Sequence, residues 1–144
     1  MRTWDDNKYT YCIGVDPGTK TGLGVWNKQK KVFDWLGSCM IHEAMAKIEA
    51  YVNAGHTVKV FVEDARLRKW FGKGAAAKMQ GAGSVKRDAS IWEAWLKDKG
   101  IPYEMKHPGR GMTKMRREIF AQLTKYSGHT NEHSRDAGMM VFGM

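Results

Sequence analysis

The chain has 144 residues, 42% hydrophobic and 27% charged, with a formal net charge of +9 and a pI near 9.6. This balance excludes a disordered chain, and no apolar run approaches the ~20 residues that a membrane-spanning helix needs. The length suits one domain, 1–144, which can bury a core without disulfide or metal staples.

The opening "MRTWDDNKYT" lacks the apolar stretch of a signal peptide, so a cytoplasmic location and no membrane partner are expected. "YTYCIGVD" then reads as a short buried strand that ends at Asp16. "GLGVWN" and "KVFDWLGSC" read as two further strands around the polar turn "NKQKK", and short links imply an antiparallel meander. Cys12 and Cys39 lie in these strands without metal-ligand spacing and read as small buried hydrophobes.

Ile41, Ala44, Met45, Ile48, Tyr51 and Val52 recur at helical spacing, and "NAGH" closes that helix. "VKVFVED" is a fourth strand ending at Glu63. Next comes a basic and glycine-rich stretch, "RLRKWFGKGAAAKMQGAG". Ser84 can cap a helix with Val85, Ala89, Trp92 and Leu96 on one face, and Gly100 stops it. Trp92 and Trp95 occupy neighbouring faces of that helix, so both are not easily buried in a small monomer's core unless the helix is clamped between the sheet and C-terminal elements.

"IPYEMK" reads as a fifth strand, and "HPGRG" leads to Thr113 as the N-cap of a helix reaching about Tyr126. In that helix Met115, Ile119 and Leu123 are expected to be buried, and Lys114, Arg117 and Lys125 exposed. "EHSRDAGMMVFG" forms the last helix. The order β-β-β-α-β-α-β-α-α implies an α/β fold whose five-stranded mixed sheet has three antiparallel strands followed by parallel ones, flanked by helices.

The positive charge is segregated. Residues 66–117 hold fourteen Lys or Arg against four acids, so this region carries a surplus of ten and the remainder is close to neutral. Clustered cations of this kind suit a polyanion, most simply nucleic acid, because neutralised phosphates release condensed counterions. The alternative is a generic solubilising surface.

The acids fall where that surface would need chemistry. Asp16 and Glu63 each end an apolar strand, and adjacent parallel strands would deliver both to one end of the sheet. Asp64 follows Glu63 directly, and period-two alternation sends the two to opposite faces. His133 and Asp136 share one face of the last helix. Such an oxygen-rich set suits Mg²⁺ or Mn²⁺, and paired ions roughly 4 Å apart can stabilise the attacking and leaving oxygens of phosphodiester hydrolysis. Taken singly, each acid has a plainer reading: Asp-Pro-Gly as a turn, Glu63 as a solvated strand end, His133 and Asp136 as residues at a helix start.

"IGVDPGTKTGLGVW", "VFVED" and "HSRDAGMM" resemble the three signature segments of the RuvC family of Holliday junction resolvases, within the ribonuclease H-like superfamily. The resemblance spans nearly the whole chain, although the middle matches only in layout. It implies a ribonuclease H-like fold with Asp16, Glu63 and Asp136 as catalytic carboxylates holding two Mg²⁺ ions, for which Mn²⁺ would substitute. His133 stands where many members carry a fourth carboxylate, so it would bind the second ion, assist proton transfer or stabilise the scissile phosphate. The loop with Arg68, Lys69, Trp70, Phe71 and Lys73 resembles the family's substrate loop, with Trp70 or Phe71 probing the opened junction. Lys106 and Lys114 resemble its basic residues beside the cleaved strand, and Arg110 and Arg117 enlarge that patch.

The implied activity is a metal-dependent endodeoxyribonuclease that acts on four-way or branched DNA as a homodimer, nicking symmetrically to leave 5′ phosphates. A non-cleaving junction-binding scaffold and another ribonuclease H-like nuclease, acting on RNA or less structured DNA, are the alternatives. An actin-like ATPase also opens on a strand and an Asp-x-Gly turn but requires two domains and a second phosphate loop. No nucleotide cofactor is therefore expected.

Overall fold

The structure is a computed structural model and describes residues 8–67, 83–108 and 115–144. Its elements are β1 (Tyr11–Asp16), β2 (Lys20–Asn27), β3 (Val32–Met40), α1 (Ile41–Asn53), β4 (Val58–Glu63), α2 (Gly83–Lys99), β5 (Tyr103–Lys106), α3 (Arg117–Thr124) and α4 (Glu132–Met139). A 3-10 turn, Ala65–Leu67, follows β4. Strands line up as β3-β2-β1-β4-β5. The first three are antiparallel, whereas β4 runs parallel to both β1 and β5, which gives the expected mixed α/β sheet.

Local chemistry accounts for the boundaries. Lys31 turns the chain between β2 and β3 with a positive φ of 57°, and Asn27 Oδ1 accepts the N–H groups of Gln29 and Lys30. Glu43 reaches back from the first turn of α1 to the Met40 N–H at 3.1 Å. Gly55 (φ 90°) and Gly100 (φ 67°) follow the ends of α1 and α2 in the left-handed region, where glycine carries no side-chain penalty.

Alternation along the strands divides the core in two. Tyr11, Ile13 and Val15 of β1 join Val58, Val60 and Val62 of β4 beneath α1 and α2, where Ala44, Ile48, Trp92 and Leu96 close the layer. Cys12 and Phe61 face the other way, with Trp26, Phe33, Leu36, Phe120 and Val141. Each fully buried aliphatic or aromatic side chain contributes about 1.5–3 kcal/mol. Two layers of helices on one sheet are therefore held mainly by apolar burial.

Three expectations need correction. α3 starts at Arg117, with Arg116 as its extended N-cap, and the proposed cap Thr113 lies outside the described residues. Its single buried side chain is Phe120, stacked 6.1 Å from Phe33, while Ile119 and Leu123 are exposed. The short helix has one strong anchor in the aromatic cluster, and that anchor rotates the apparent apolar stripe outward. Cys12 is buried, but Cys39 is half-buried near the end of β3.

Trp92 is fully buried, and its Nε1 lacks a hydrogen-bond partner among the described residues. Trp95 is half-buried and packs edge-on against it at 5.7 Å. No helix among the described residues is long and apolar enough to cross a membrane.

Candidate active site

Asp16 and Glu63 end parallel neighbours. Val15 pairs with Val62, so the next residue of each strand emerges side by side, about one strand spacing of ~4.8 Å apart. Both share the parity of Cys12 and Phe61, which places them on the face covered by α3 and α4. The buried run before each acid fixes this parity: a one-residue slip would turn the whole apolar set outward.

The helix that brings His133 and Asp136 docks with almost no side chain between backbones. A Cβ at Gly14 would fall onto the main-chain carbonyl of Ala137, and one at Gly22 onto that of His133. At Gly24 it would lie 2.9 Å from the Cα of Gly138. Three glycines on β1 and β2 thus form the bed of α4. Asn131 caps the helix by accepting the Ser134 N–H at 2.9 Å, and donates from Nδ2 to Ser38 Oγ of β3 at 2.6 Å. Ser38 lies opposite Gly22 in the sheet, so cap and bed fix the same end of the helix.

This docking places His133 Nδ1 3.2 Å from Asp16 Oδ2. Burial dominates the electrostatics of Asp16, whose side chain is 14% exposed, and raises its pKa. Hydrogen bonds with His133 and Glu63 and the His133 charge act oppositely, whereas the Asp136 charge raises it further. The net result lies above the ordinary carboxylate value. The four residues singled out from sequence therefore interact, with Asp16 at the centre.

Among the described residues, no three His, Cys, Asp or Glu side chains form a ready-made metal cage. The donor set itself, three carboxylates and one imidazole, fits a hard divalent cation. Crowded negative charge around a carboxylate removed from water is the environment that such a cation relieves.

Of the predicted DNA contacts, Lys106 lies beside Glu63 in the β4–β5 register and pairs with Glu104 at 3.3 Å. Its ammonium stands 5.6 Å from the centre of the Phe61 ring. Arg117 is exposed at the start of α3 and lines a cavity of about 330 Å³ with Tyr126 and Thr130. Arg68, Lys69, Trp70, Phe71, Lys73, Arg110 and Lys114 lie outside the described residues.

Sequence reasoning missed a second polar cluster across the sheet. Asp64 is only 2% exposed and takes Arg66 Nε at 2.7 Å and Nη2 at 2.8 Å. Arg66 Nη2 also donates to Glu93 Oε1 of α2 at 2.9 Å. Burial pushes the Asp64 pKa up, but the hydrogen bonds and charge of Arg66 outweigh it and hold the carboxyl below its ordinary range. The available signal was an acid predicted to turn away from the site, with an arginine two residues on.

Compared with known proteins, the chain matches no protein-family model, and no curated protein is significantly similar to it in sequence.

Proposed function

We propose that the chain is a metal-dependent endodeoxyribonuclease of ribonuclease H-like fold that resolves four-way or branched DNA junctions. The observation that carries this reading is the meeting of Asp16, Glu63, His133 and Asp136 where two parallel strands end beneath α4. Segregated positive charge over residues 66–117 supports a nucleic-acid substrate. A twofold dimer would make the two nicks symmetric, and departure of the 3′ oxygen, as the family resemblance implies, would leave 5′ phosphates. The expected setting is cytoplasmic.

Asp16, Glu63 and Asp136, with His133 beside them, would hold two Mg²⁺ ions, for which Mn²⁺ would substitute. Bound there, the ions supply Lewis-acid stabilisation of the attacking and leaving oxygens. Asp16, partly withdrawn from water, would bind through a carboxylate that burial has left short of solvation. His133 holds that carboxylate through its Nδ1, and would bind the second ion, assist proton transfer or stabilise the scissile phosphate. Lys106, next to Glu63, draws the backbone to the site as a positioning charge without reading base sequence. Trp70 or Phe71 would stack on bases at the open junction centre, with Arg68, Lys69, Lys73, Arg110, Lys114 and Arg117 on the phosphates.

The test is incubation of a labelled four-way junction with Mg²⁺, Mn²⁺, Ca²⁺ or chelator, in competition with flap, hybrid and duplex substrates. Symmetric nicks in the junction with Mg²⁺ or Mn²⁺ alone are expected. Binding without cleavage in every metal would replace the enzyme by a scaffold, and preferred cleavage of hybrids or plain duplex would remove the junction specificity.

A further inference from the structure

The Asp64–Arg66–Glu93 cluster sits on the face of the sheet opposite the acids, and its bonds tie the residue that follows β4 to α2 and β5. Arg66 grips both oxygens of Asp64, with Nε on Oδ1 and Nη2 on Oδ2, and its own N–H donates to Oδ1 at 3.0 Å. The same guanidinium reaches Glu93 at 2.9 Å and Ser90 Oγ at 3.3 Å, both on α2. Glu93 uses its second oxygen to accept the Tyr103 hydroxyl of β5 at 3.3 Å. The Asp64 N–H donates to the Lys106 carbonyl at 2.7 Å, and its carbonyl accepts the Leu67 N–H at 3.1 Å.

Strand geometry transmits this fixation to the other face. Glu63 and Asp64 are consecutive, with side chains on opposite faces, so holding Asp64 restricts the Glu63 backbone as well. Lys106, held through its carbonyl, is also the register partner of Glu63. A paired charge cluster with few alternative partners is suited to such a task, because breaking it leaves Asp64 buried without its counter-ion.

We propose that Arg66 and Glu93 are positioning residues that hold Glu63 and Lys106 in working register from across the sheet. This inference rests on the nuclease reading of the acid site. It predicts a defect in cation binding and in its coupling to cleavage, beyond a loss of stability. Residues supporting the ligands of a metal typically affect its affinity by about 10–100-fold.

The experiment compares wild type with Arg66→Ala, Arg66→Lys, Glu93→Ala and Glu93→Gln. Mn²⁺ affinity is measured by calorimetry or electron paramagnetic resonance, alongside Tm and the Mg²⁺ dependence of kcat and KM on a four-way junction. Arg66→Ala and Glu93→Ala should weaken Mn²⁺ binding by about 10-fold or more and raise the half-saturating Mg²⁺ in proportion, with junction KM little changed. Arg66→Lys and Glu93→Gln should recover part of both.

Unchanged Mn²⁺ affinity and Mg²⁺ dependence in folded Glu93→Ala would overturn the proposal, whatever its Tm. That variant removes the outer partner while leaving the Asp64–Arg66 pair, so it retains the test if Arg66→Ala fails to fold. A wild-type protein that neither binds Mn²⁺ nor cleaves would instead overturn the nuclease reading, and this proposal with it.

Discussion

Gly22 of β2 lies so close under α4 that a β-carbon there would meet the main-chain carbonyl of His133. The site therefore depends on a missing side chain as much as on the ones it contains. Gly22→Ala should force α4 off the sheet, because main-chain atoms cannot rotate aside as a side chain can. Overpacking costs about 1–3 kcal/mol, and the rigid neighbour puts this case at the upper end. A fall in Tm of roughly 4–10 °C should accompany loss of cleavage. Gly55→Ala is the control: its φ of 90° imposes backbone strain, but no atom stands within 4 Å, so activity should survive a loss of about 1–2 kcal/mol. Equal effects on cleavage from the two changes would contradict the docking account.

Asp16→Asn should abolish cleavage and stabilise the metal-free protein. Folding raises the Asp16 pKa, so the native state holds this proton more tightly than the unfolded chain. Stability linked to Asp16 consequently falls as pH rises from the ordinary 3.8 through the raised value, and the amide escapes that cost. At neutral pH the variant should melt higher, by roughly 2–4 °C per kcal/mol of relief. Below pH 3.8 the difference should vanish, which thermal melts across pH would show. Retained cleavage would remove Asp16 from the chemistry.

His133→Ala tests the contact from the other side. The imidazole is one of the influences that lower the Asp16 pKa, and its removal leaves burial and the Asp136 charge opposed only by the hydrogen bond with Glu63. The acid limb of the pH–rate profile should move to higher pH, with cleavage down about 10–100-fold at neutral pH. A limb that stays in place would mean that the contact has no electrostatic role.

Arg66→Ala should destabilise the protein above pH 4 more than below it. Asp64 is held beneath its ordinary 3.8, so its contribution is complete above that value and is lost as pH falls through the lowered one. Breaking a fully buried pair costs about 3–5 kcal/mol, and the 31% exposure of the Arg66 side chain reduces that to about 1–3 kcal/mol. Urea titrations at several pH values would show the gap from wild type closing in acid. A constant gap would contradict the ionic account.

Asp16 and Glu63 could be located from sequence because apolar alternation records which way a strand side chain points and where the strand stops. Their meeting with His133 and Asp136 was expected only on the condition that the two strands are adjacent and parallel, and from the family resemblance. α3 was harder: Met115, Ile119 and Leu123 have the spacing of a buried stripe, yet Phe120 takes the core position because the aromatic cluster of Phe33 and Phe142 awaits it. The role of Gly14, Gly22 and Gly24 was hidden for a related reason. A residue's absence of side chain acquires meaning only from a helix more than a hundred positions away, and no local pattern encodes that distance. Arg66 and Glu93 meet from separate elements and likewise reveal their partnership only in the folded chain.

The α4 docking also predicts an order of events. β1 with β2 forms a local hairpin, whereas the contact between Asp16 and His133 spans 117 positions, so its closure entropy is among the largest the fold must overcome. The sheet can consequently be complete before the site exists. The reverse passage has the same asymmetry: α4 can detach as a unit while the Ile13–Trp92 side of the core remains closed, disarming the acids without unfolding the protein. Hydrogen exchange should find the amides of α4 opening earlier than those of β1, with loss of activity tracking the former.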